Sequence, residues 1–533
     1  MPQLQLTIPA QDSKRAGIKI KPREVRSWLE NLPFLDLQRT ARLAHEQLRL
    51  MNRQPLPAGT RLEILGCFLG TYRRLAEQGE NWFGSRRDSG TAPGNQTADA
   101  DKLQAQVKRL CQDIGFGYKI VAHELVNKTS GFMETRNLPL ALLGAIQSLG
   151  LQLIDCYAGY RPAPRALWSE CLALYGYAWQ SGREKYATTL PGFDEQQIDA
   201  CFRLITLLRL TDPYRLPAGM LPALRHYFMQ HRDLCRIHSE PPAGKNFFQL
   251  HEAFQQATED QDPHLYLEMD ELLARMQADI EKLAKHRQAQ AIGLPAEVPA
   301  LPLLRSLRQT LDHWQNHPTR STERQETHAR IDLVSGLNAA YCMVNRGRCF
   351  DPTLFLSAEQ ERSIDLGALP ADDNKRQTPP TPFACTSINR SNGGLAVHYR
   401  GPQLPHPRVG QLIALRRPAP RSNAGWVVAV CRWLVESEGS AGYELGLQYL
   451  AREPRPVVIR VMADAGLGGE YQAAIAATQK RGQQPVHTLI TRSGEIQAGS
   501  QVTIYEQGHQ QLVNCSEQLE SGPGFERFIY LPA

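Results

Sequence analysis

The chain has 533 residues, of which 42% are hydrophobic and 21% are charged, a composition typical of a soluble globular protein. This length exceeds what one hydrophobic core supports and predicts roughly two to four domains. The formal net charge of +6 is small for the length and by itself gives no case for nucleic-acid binding, which needs a concentrated basic face, so we predict no nucleic-acid partner.

Residues 1–287 are predicted to form an all-α region. Apolar residues recur at spacings of three and four over Leu37–Met51 and again over Leu65–Leu75, which is typical of one buried helix face. Whether these helices stack as a solenoid or pack as a bundle stays open, and we assign the region to no known family. Further helices are predicted over 101–125, 194–211, 219–237, 246–258 and 264–287.

One apolar run and one linker stand out in this part. Leu140–Ile154 is the most apolar run, but it is interrupted by polar residues and is shorter than the roughly 18 residues of a membrane span. We therefore expect a buried helix and no membrane insertion. Residues 288–317 are predicted to be a linker and a connecting helix, because Gly293, Pro295 and Pro299 interrupt the helical pattern.

From residue 318 the apolar period changes from that of helices to that of strands. Short candidate strands bounded by Gly, Pro and Ser predict an antiparallel barrel over 318–460. Residues 345–380 are predicted to be an insertion in it, with a possible helix at 358–363. The candidate strands are 328–334, 383–388, 394–399, 409–415, 426–434 and 443–450.

Residues 461–533 are predicted to be a β-rich extension. Alternating pairs such as Leu489 and Thr491 indicate strands, whereas Tyr471–Lys480 reads as a helix. The extension either closes the first barrel or forms a second small β-domain. The predicted fold class is thus multidomain α + β, with an N-terminal helical region, an antiparallel β-barrel and additional β-structure.

The spacing of the cysteines and the absence of common catalytic motifs argue against a metal site and against an enzyme. The 11 cysteines are scattered, with no C-x-x-C pair and no zinc spacing, so we predict no metal or redox cofactor. We expect most of them to be small apolar fillers in a reducing cytoplasm. The opening residues lack the layout of a signal peptide. There is also no nucleophile elbow, P-loop or Rossmann glycine pattern, which favours a binding function over an enzyme.

The segment Ile388–Leu395 carries the most specific motif of the chain. It reads N-x-S-x-x-G and leads into an alternating strand. Asn389 and Ser391 offer side-chain donors and acceptors at the mouth of that strand. Gly393 and Gly394 let the backbone come close to a ligand and present N–H groups to a phosphate.

A pair of arginines precedes the barrel. Arg320 and Arg324 form an R-x-x-x-R pair. Together with the Asn389–Gly394 turn, this pair resembles the two signatures of the PilZ family, small β-barrels that bind cyclic di-GMP. Gly446 and its neighbours also resemble the closing strand of that family. The resemblance covers about 318–460.

The resemblance implies a ligand and a division of roles. Arg320 and Arg324 would clamp a guanine and a phosphate, because a guanidinium meets the adjacent O6 and N7 acceptors of guanine. Asn389 and Ser391 would hold the other edge, with Gly393 and Gly394 forming the turn. The R-x-x-x-R pair is common by chance, and the Asn389–Gly394 segment is also an ordinary turn signature.

Two hypotheses from different classes follow. In the first, the chain is a cytoplasmic cyclic di-GMP receptor that couples nucleotide binding to an unidentified protein partner of the helical region. The resemblance associates such receptors with motility and biofilm formation. In the second, the chain is a nucleotide-independent scaffold that carries a degenerate barrel.

Overall fold

The computed structural model divides the chain into two compact units. The helical unit comprises Met1–Gly159, Ala163–Pro213 and Gly219–His317, and the barrel unit comprises Tyr160–Pro162, Tyr214–Ala218 and Pro318–Ala533. The structure describes residues 4–11, 18–87, 94–127, 136–188, 190, 196–244, 246–253, 264–316, 324–351, 378–400, 408–418, 425–437, 442–462, 468–481, 484–506 and 509–533.

The helical unit contains most of the α-helices of the chain. Two of its helices start where the sequence places a proline, since Pro22 and Pro139 lie in first turns, where a missing backbone N–H is harmless. The helices are α1 Pro22–Glu30, α2 Leu37–Met51, α3 Ala58–Arg87, α4 Gly94–Asn127, α5 Leu138–Ala158, α6 Arg165–Gln180, α7 Ile198–Leu210, α8 Met220–His231, α9 Leu250–Ala253, α10 Asp270–His286 and α11 Ala300–Asn316.

Helices α4 and α5 lie at the centre of this unit. Helix α4 packs against α2, α3 and α5. A Cβ at Gly144 of α5 would lie 2.6 Å from the ring of Tyr118 in α4, so these two helices approach very closely. Among described helices, α5 is long and apolar enough to cross a membrane, but 72% of its apolar window is buried inside the structure. The expected buried helix around Leu140–Ile154 is confirmed.

The helical unit also contains a small antiparallel sheet that the sequence analysis missed. Strand β3 (Tyr266–Glu268) lies between β1 (Arg236–His238) and β2 (Phe247–Gln249). The helices predicted over 219–237, 246–258 and 264–287 were therefore too long. Strands of three residues are too short to show a period, and only their pairing identifies them.

The first barrel closes on itself. Its strand order is β6-β5-β8-β9-β10-β7, β6 also pairs with β7, and β4 extends the sheet beside β6. These strands confirm the predicted antiparallel barrel. Their bounds are β4 Gln325–Glu326, β5 Arg330–Ser335, β6 Phe383–Arg390, β7 Gly394–Tyr399, β8 Leu412–Arg416, β9 Val427–Glu436 and β10 Tyr443–Ala451.

The second barrel is a separate closed sheet of order β11-β12-β13-β16-β15-β14. The extension is thus a second β-domain. The predicted helix over Tyr471–Lys480 is wrong, because this stretch belongs to β12. The strands are β11 Arg455–Met462, β12 Gly468–Arg481, β13 Gln484–Thr491, β14 Gln501–Glu506, β15 His509–Gly522 and β16 Phe525–Pro532.

The two barrels share a hydrophobic cluster. Val428 and Val430 of the first barrel pack in the same cluster as Ile475 and Phe525 of the second. Helix α12 (Leu337–Val344), which follows β5, contributes to it as well. The barrels therefore pack as one body within the barrel unit, and a movement of one is resisted by the apolar contacts of the other.

A disulfide joins α12 to the start of the predicted insertion. Cys342 and Cys349 are bonded across a tight turn, which differs from the expected role of the cysteines as apolar fillers. The expected filler role fits Cys385, Cys431 and Cys515, which are free and buried. The possible helix at 358–363 lies outside the described residues.

Candidate functional site

The Asn389–Gly394 segment forms a compact turn between β6 and β7. Ser391 N donates to Gly394 O at 2.9 Å, and Gly393 N donates to Ser391 Oγ at 3.3 Å. From the other side, Tyr449 N donates to Gly393 O at 2.9 Å. The turn is therefore held both by its own serine and by β10, which fixes its shape at the rim of the barrel.

The segment that follows the R-x-x-x-R pair lies along β6. Thr327 N donates to Ile388 O at 3.1 Å, and Thr327 Oγ1 donates to Ser387 Oγ at 2.8 Å. Ser387 Oγ also accepts from Ala329 N at 2.9 Å. Because Ser387 is only 2% exposed, these bonds are shielded from water and attach residues 327–329 firmly to β6.

Strand pairing then brings Arg324, the second arginine of the pair, to the turn. Gln325 of β4 pairs with Arg390, and Glu326 pairs with Asn389. Arg324 precedes Gln325, so in this antiparallel register it lies at the level of Ser391, the residue after Arg390. Side chains alternate along strands, so Arg324 and Glu326 are placed on the side of the sheet that carries Asn389.

A tyrosine and two more arginines surround the turn. Arg452 donates to Asn392 O, and its guanidinium lies 4.8 Å from the centre of the Tyr449 ring. Burial raises the pKa of the Tyr449 hydroxyl, while the charges of Arg452 and Arg390 act in the opposite direction. Both arginines therefore act electrostatically at this tyrosine, and the turn lies among positive charges.

The two glycines of the turn have different surroundings. A Cβ at Gly394 would lie 2.2 Å from the carbonyl oxygen of Leu447, whereas a Cβ at Gly393 would meet nothing within 4 Å. Gly394 is thus required for the close pairing of β7 with β10. Gly393 instead is exposed and has open space at the position of a Cβ.

This contrast predicts different effects for two neighbouring substitutions. We expect Gly394→Ala to lower the free energy of unfolding of the barrel unit by about 1–3 kcal/mol or more, because backbone atoms must move apart. Gly393→Ala should change it by no more than about 0.5 kcal/mol. Chemical denaturation of the full chain measures both, and equal destabilisation would contradict the assignment.

The structure brings together most of the residues that the sequence analysis proposed. Arg324, Asn389, Ser391, Gly393 and Gly394 all lie around the end of β6. Arg320 lies outside the described residues.

The sequence analysis missed several residues of this region. Ser387, Arg390 and Arg452 carry no local signal for a ligand site, and their positions follow only from strand register. Glu326 of β4 is a further addition.

Comparison with known families identifies the first barrel. Residues 357–456 match the family model described as the middle PilZ domain of the cyclic-di-GMP receptor FimW. The middle of this chain is a PilZ domain. The match includes the Asn389–Gly394 turn, while Arg324 and β5 of the PilZ domain precede the matched residues.

The regions on both sides of the PilZ domain match the same receptor. Residues 23–243 match the FimW N-terminal domain, which the sequence analysis had assigned to no family, and residues 457–532 match the FimW C-terminal beta-barrel domain. The cyclic-di-GMP receptor FimW of Pseudomonas aeruginosa strain PAO1 is 21% identical, with 100% of this chain and 94% of that protein covered. The chain is therefore similar to that receptor along its whole length.

No metal site accompanies the PilZ domain in the part of the chain that the structure describes. Searching those residues gives no group of three or more His, Cys, Asp or Glu side chains that could hold an ion. The chemistry available at the turn is that of hydrogen bonding, stacking and positive charge.

Proposed function

We propose that this chain is a cyclic di-GMP receptor that couples nucleotide binding in the PilZ domain to a protein partner. The proposal rests on one observation above all, the pairing of Gln325 and Glu326 with Arg390 and Asn389. This pairing places Arg324 beside a turn that lies far along the sequence. The proposal therefore treats two motifs that are weak separately as one site.

The guanine base is assigned to the side of the turn on which Arg324 and β4 lie. The exposed Arg324 has the fork geometry that meets O6 and N7 of guanine. Glu326 and the Asn389 amide supply acceptors for the N–H donors of the same base. Arg320, four residues earlier, is proposed to add a second guanidinium to this side.

The phosphates are assigned to the turn itself. Gly393 is exposed, with open space beside it, and Ser391 offers a hydroxyl. Arg390 is exposed at the end of β6, and with Arg452 it supplies the positive charge that a phosphodiester requires. The ring of Tyr449, beneath the Arg452 guanidinium, gives an aromatic surface close to the turn.

Calorimetric titration of the full chain with cyclic di-GMP tests the proposal, with GMP as the control nucleotide. We expect saturable binding with Kd in the micromolar range or tighter, about −8 kcal/mol or better. The stoichiometry would show whether the ligand binds as one nucleotide or as a stacked pair. Absence of both heat and a thermal shift would contradict the receptor assignment.

In this proposal nucleotide binding is transmitted from the turn to the second barrel. Gln448 pairs with Gly394, and its side-chain oxygen accepts from Arg432 Nε at 2.5 Å. Arg432 also pairs with Glu520 of the second barrel at 2.5 Å. An effector shifts a protein between two conformations only if it binds them with different affinities. Such a difference arises here if nucleotide binding moves Gly394 and thereby alters the contacts that run through Gln448 and Arg432.

In this proposal the chain works in the cytoplasm as a binding protein and not as an enzyme. Its helical region contacts the partner, and the output is surface attachment, motility or biofilm control. These last assignments rest on similarity to a receptor and to the PilZ family, and not on a contact in the structure.

A nucleotide-independent scaffold is the second candidate, and one observation favours it. Ser391 Oγ already accepts from Gly393 N, and Arg452 already donates to Asn392 O, so the turn is complete without a ligand. A set of captured partners that is unchanged by added cyclic di-GMP would support the scaffold. Exchange of partners on adding the nucleotide would support the receptor.

A further inference from the structure

A segment near the start of the chain lies against the helical unit without forming a helix or strand. We call this segment, Leu4–Gln11, the strap. Leu4 is buried, Leu6 and Ile8 are partly buried, and Gln5 and Thr7 between them are exposed. Alternation of this kind is typical of an extended chain that turns every second side chain inward.

Asn127 at the end of α4 holds the strap by its main chain. Leu4 N donates to Asn127 Oδ1 at 3.1 Å, and Asn127 Nδ2 donates to Leu4 O at 3.0 Å. The amide side chain thus satisfies both backbone groups of one residue, as a neighbouring strand would.

A buried carboxylate holds the strap at a second point. Thr7 N donates to Glu170 Oε1 at 2.7 Å. The other oxygen of Glu170, which lies in α6, pairs with Lys119 Nζ of α4 at 2.7 Å. Lys119 and Glu170 are only 4% and 6% exposed, and because the acceptor is a carboxylate the bond to Thr7 N is charge-assisted.

These contacts do not recognise most of the side chains of the strap. All three hydrogen bonds involve main-chain atoms of the strap, so they are available to any extended peptide. Specificity is left to the apolar positions of Leu4, Leu6 and Ile8. Other extended segments with apolar residues at alternate positions would satisfy the same contacts.

We propose that Asn127, Lys119 and Glu170 form a peptide-binding site, the strap site, and that the strap is its built-in competitor. The occupant from outside is an extended segment of a partner protein with apolar residues at its first, third and fifth positions. This inference concerns the helical unit and goes beyond nucleotide binding, so either proposal can fail without the other.

The test uses the full chain and a fluorescent peptide with the sequence of residues 4–11. The tethered strap competes at an effective concentration of about 1 mM, so the wild-type chain should bind the peptide weakly. Leu4→Asp combined with Leu6→Asp releases the strap, and this variant should bind the peptide at least tenfold more tightly. Adding Asn127→Ala should abolish the gain.

A scrambled peptide and Arg324→Ala serve as controls. The scrambled peptide should not bind, and Arg324→Ala should leave peptide binding unchanged because it affects only the nucleotide site. If the double variant fails to fold by circular dichroism, the milder Leu6→Ser replaces it. Hydrogen exchange at the Thr7 amide of the wild-type chain gives an independent readout, and excess peptide should accelerate it.

Two results would overturn the proposal. The first concerns the strap-released variant in its folded state. The proposal fails if this variant binds the peptide no more tightly than the wild-type chain does, or if it binds the scrambled peptide equally well. The other is concentration-dependent dimerisation of the wild-type chain through its own strap, which would make a second copy, and not another protein, the occupant.

Discussion

Replacing Arg324 with alanine is expected to weaken cyclic di-GMP binding by about 10- to 100-fold, the loss of one bidentate contact to guanine worth about 1–3 kcal/mol. Arg324 is exposed, and β4 beside it is paired through backbone atoms. The melting temperature should therefore stay unchanged while affinity falls. Calorimetric titration together with a thermal melt separates the two effects.

Arg417→Ala is the matched control for this experiment. Arg417 is also exposed on the first barrel. Its neighbour Arg416 pairs with Asp332, which pairs with Ala384, so Arg417 lies towards the start of β6 and away from Asn389. The Arg417→Ala variant should therefore bind the nucleotide as tightly as the wild type does. Equal loss in both variants would indicate a nonspecific effect of charge, and no loss in either would remove Arg324 from the site.

Replacing Lys119 with methionine is expected to cost about 3–5 kcal/mol of folding stability, because it leaves the Glu170 carboxylate buried without its partner. The pair has a separation of 2.7 Å and is almost completely buried. Burial lowers the pKa of the Lys119 ammonium, and Glu170 acts in the opposite direction. Urea denaturation followed by circular dichroism at 222 nm would measure the loss, since that signal reports mainly on helices.

A second ion pair of the same length supplies the control. Lys108 and Asp155 are also 2.7 Å apart, but their side chains are 32% and 27% exposed. Lys108→Met should cost about 1 kcal/mol or less, because water screens the exposed charge. Converting both Lys119 and Glu170 to methionine should restore much of the lost stability, since it leaves no buried charge. If the Lys119 and Lys108 variants lose equal stability, burial is not the cause.

Local periodicity was a good guide to the first barrel. Strand β7 spans Gly394–Tyr399 as predicted, and its residues Leu395, Val397 and Tyr399 lie in one core cluster. Strand β10 was also predicted nearly to its ends. In β10, Leu445 and Leu447 belong to the same cluster, so the residues of one strand face are recognisable from the period of two in the sequence.

The error at Tyr471–Lys480 has a different origin. The run is rich in alanine, which favours a helix when neighbours exert no influence. In the structure β12 is paired with β11 on one side and β13 on the other. Ala473, Ala474, Ala476 and Ala477 are buried there. Pairing along both edges satisfies the backbone, and this tertiary effect outweighs a weak local propensity.

The candidate site likewise has one part that the sequence predicts and another that depends on tertiary structure. The Asn389–Gly394 turn could be identified from sequence, since Ser391, Gly393 and Gly394 suit a tight turn whatever lies around it. The position of Arg324 could not, because it depends on the pairing of β4 with β6 across a long insertion. Likewise, only the register of β10 brings Tyr449 and Arg452 against the turn.

The sequence by itself determined the change from helices to strands near residue 318, the strands of the first barrel and the motif at Asn389–Gly394. All of these depend on neighbouring residues and therefore on local period and turn chemistry. Tertiary structure decided the second closed barrel, the short sheet β1–β3, the meeting of Arg324 with Asn389 and the seating of the strap on Asn127 and Glu170. Each of these joins residues far apart in the chain, and their pairing is set by backbone hydrogen bonds and shared burial that no local pattern encodes.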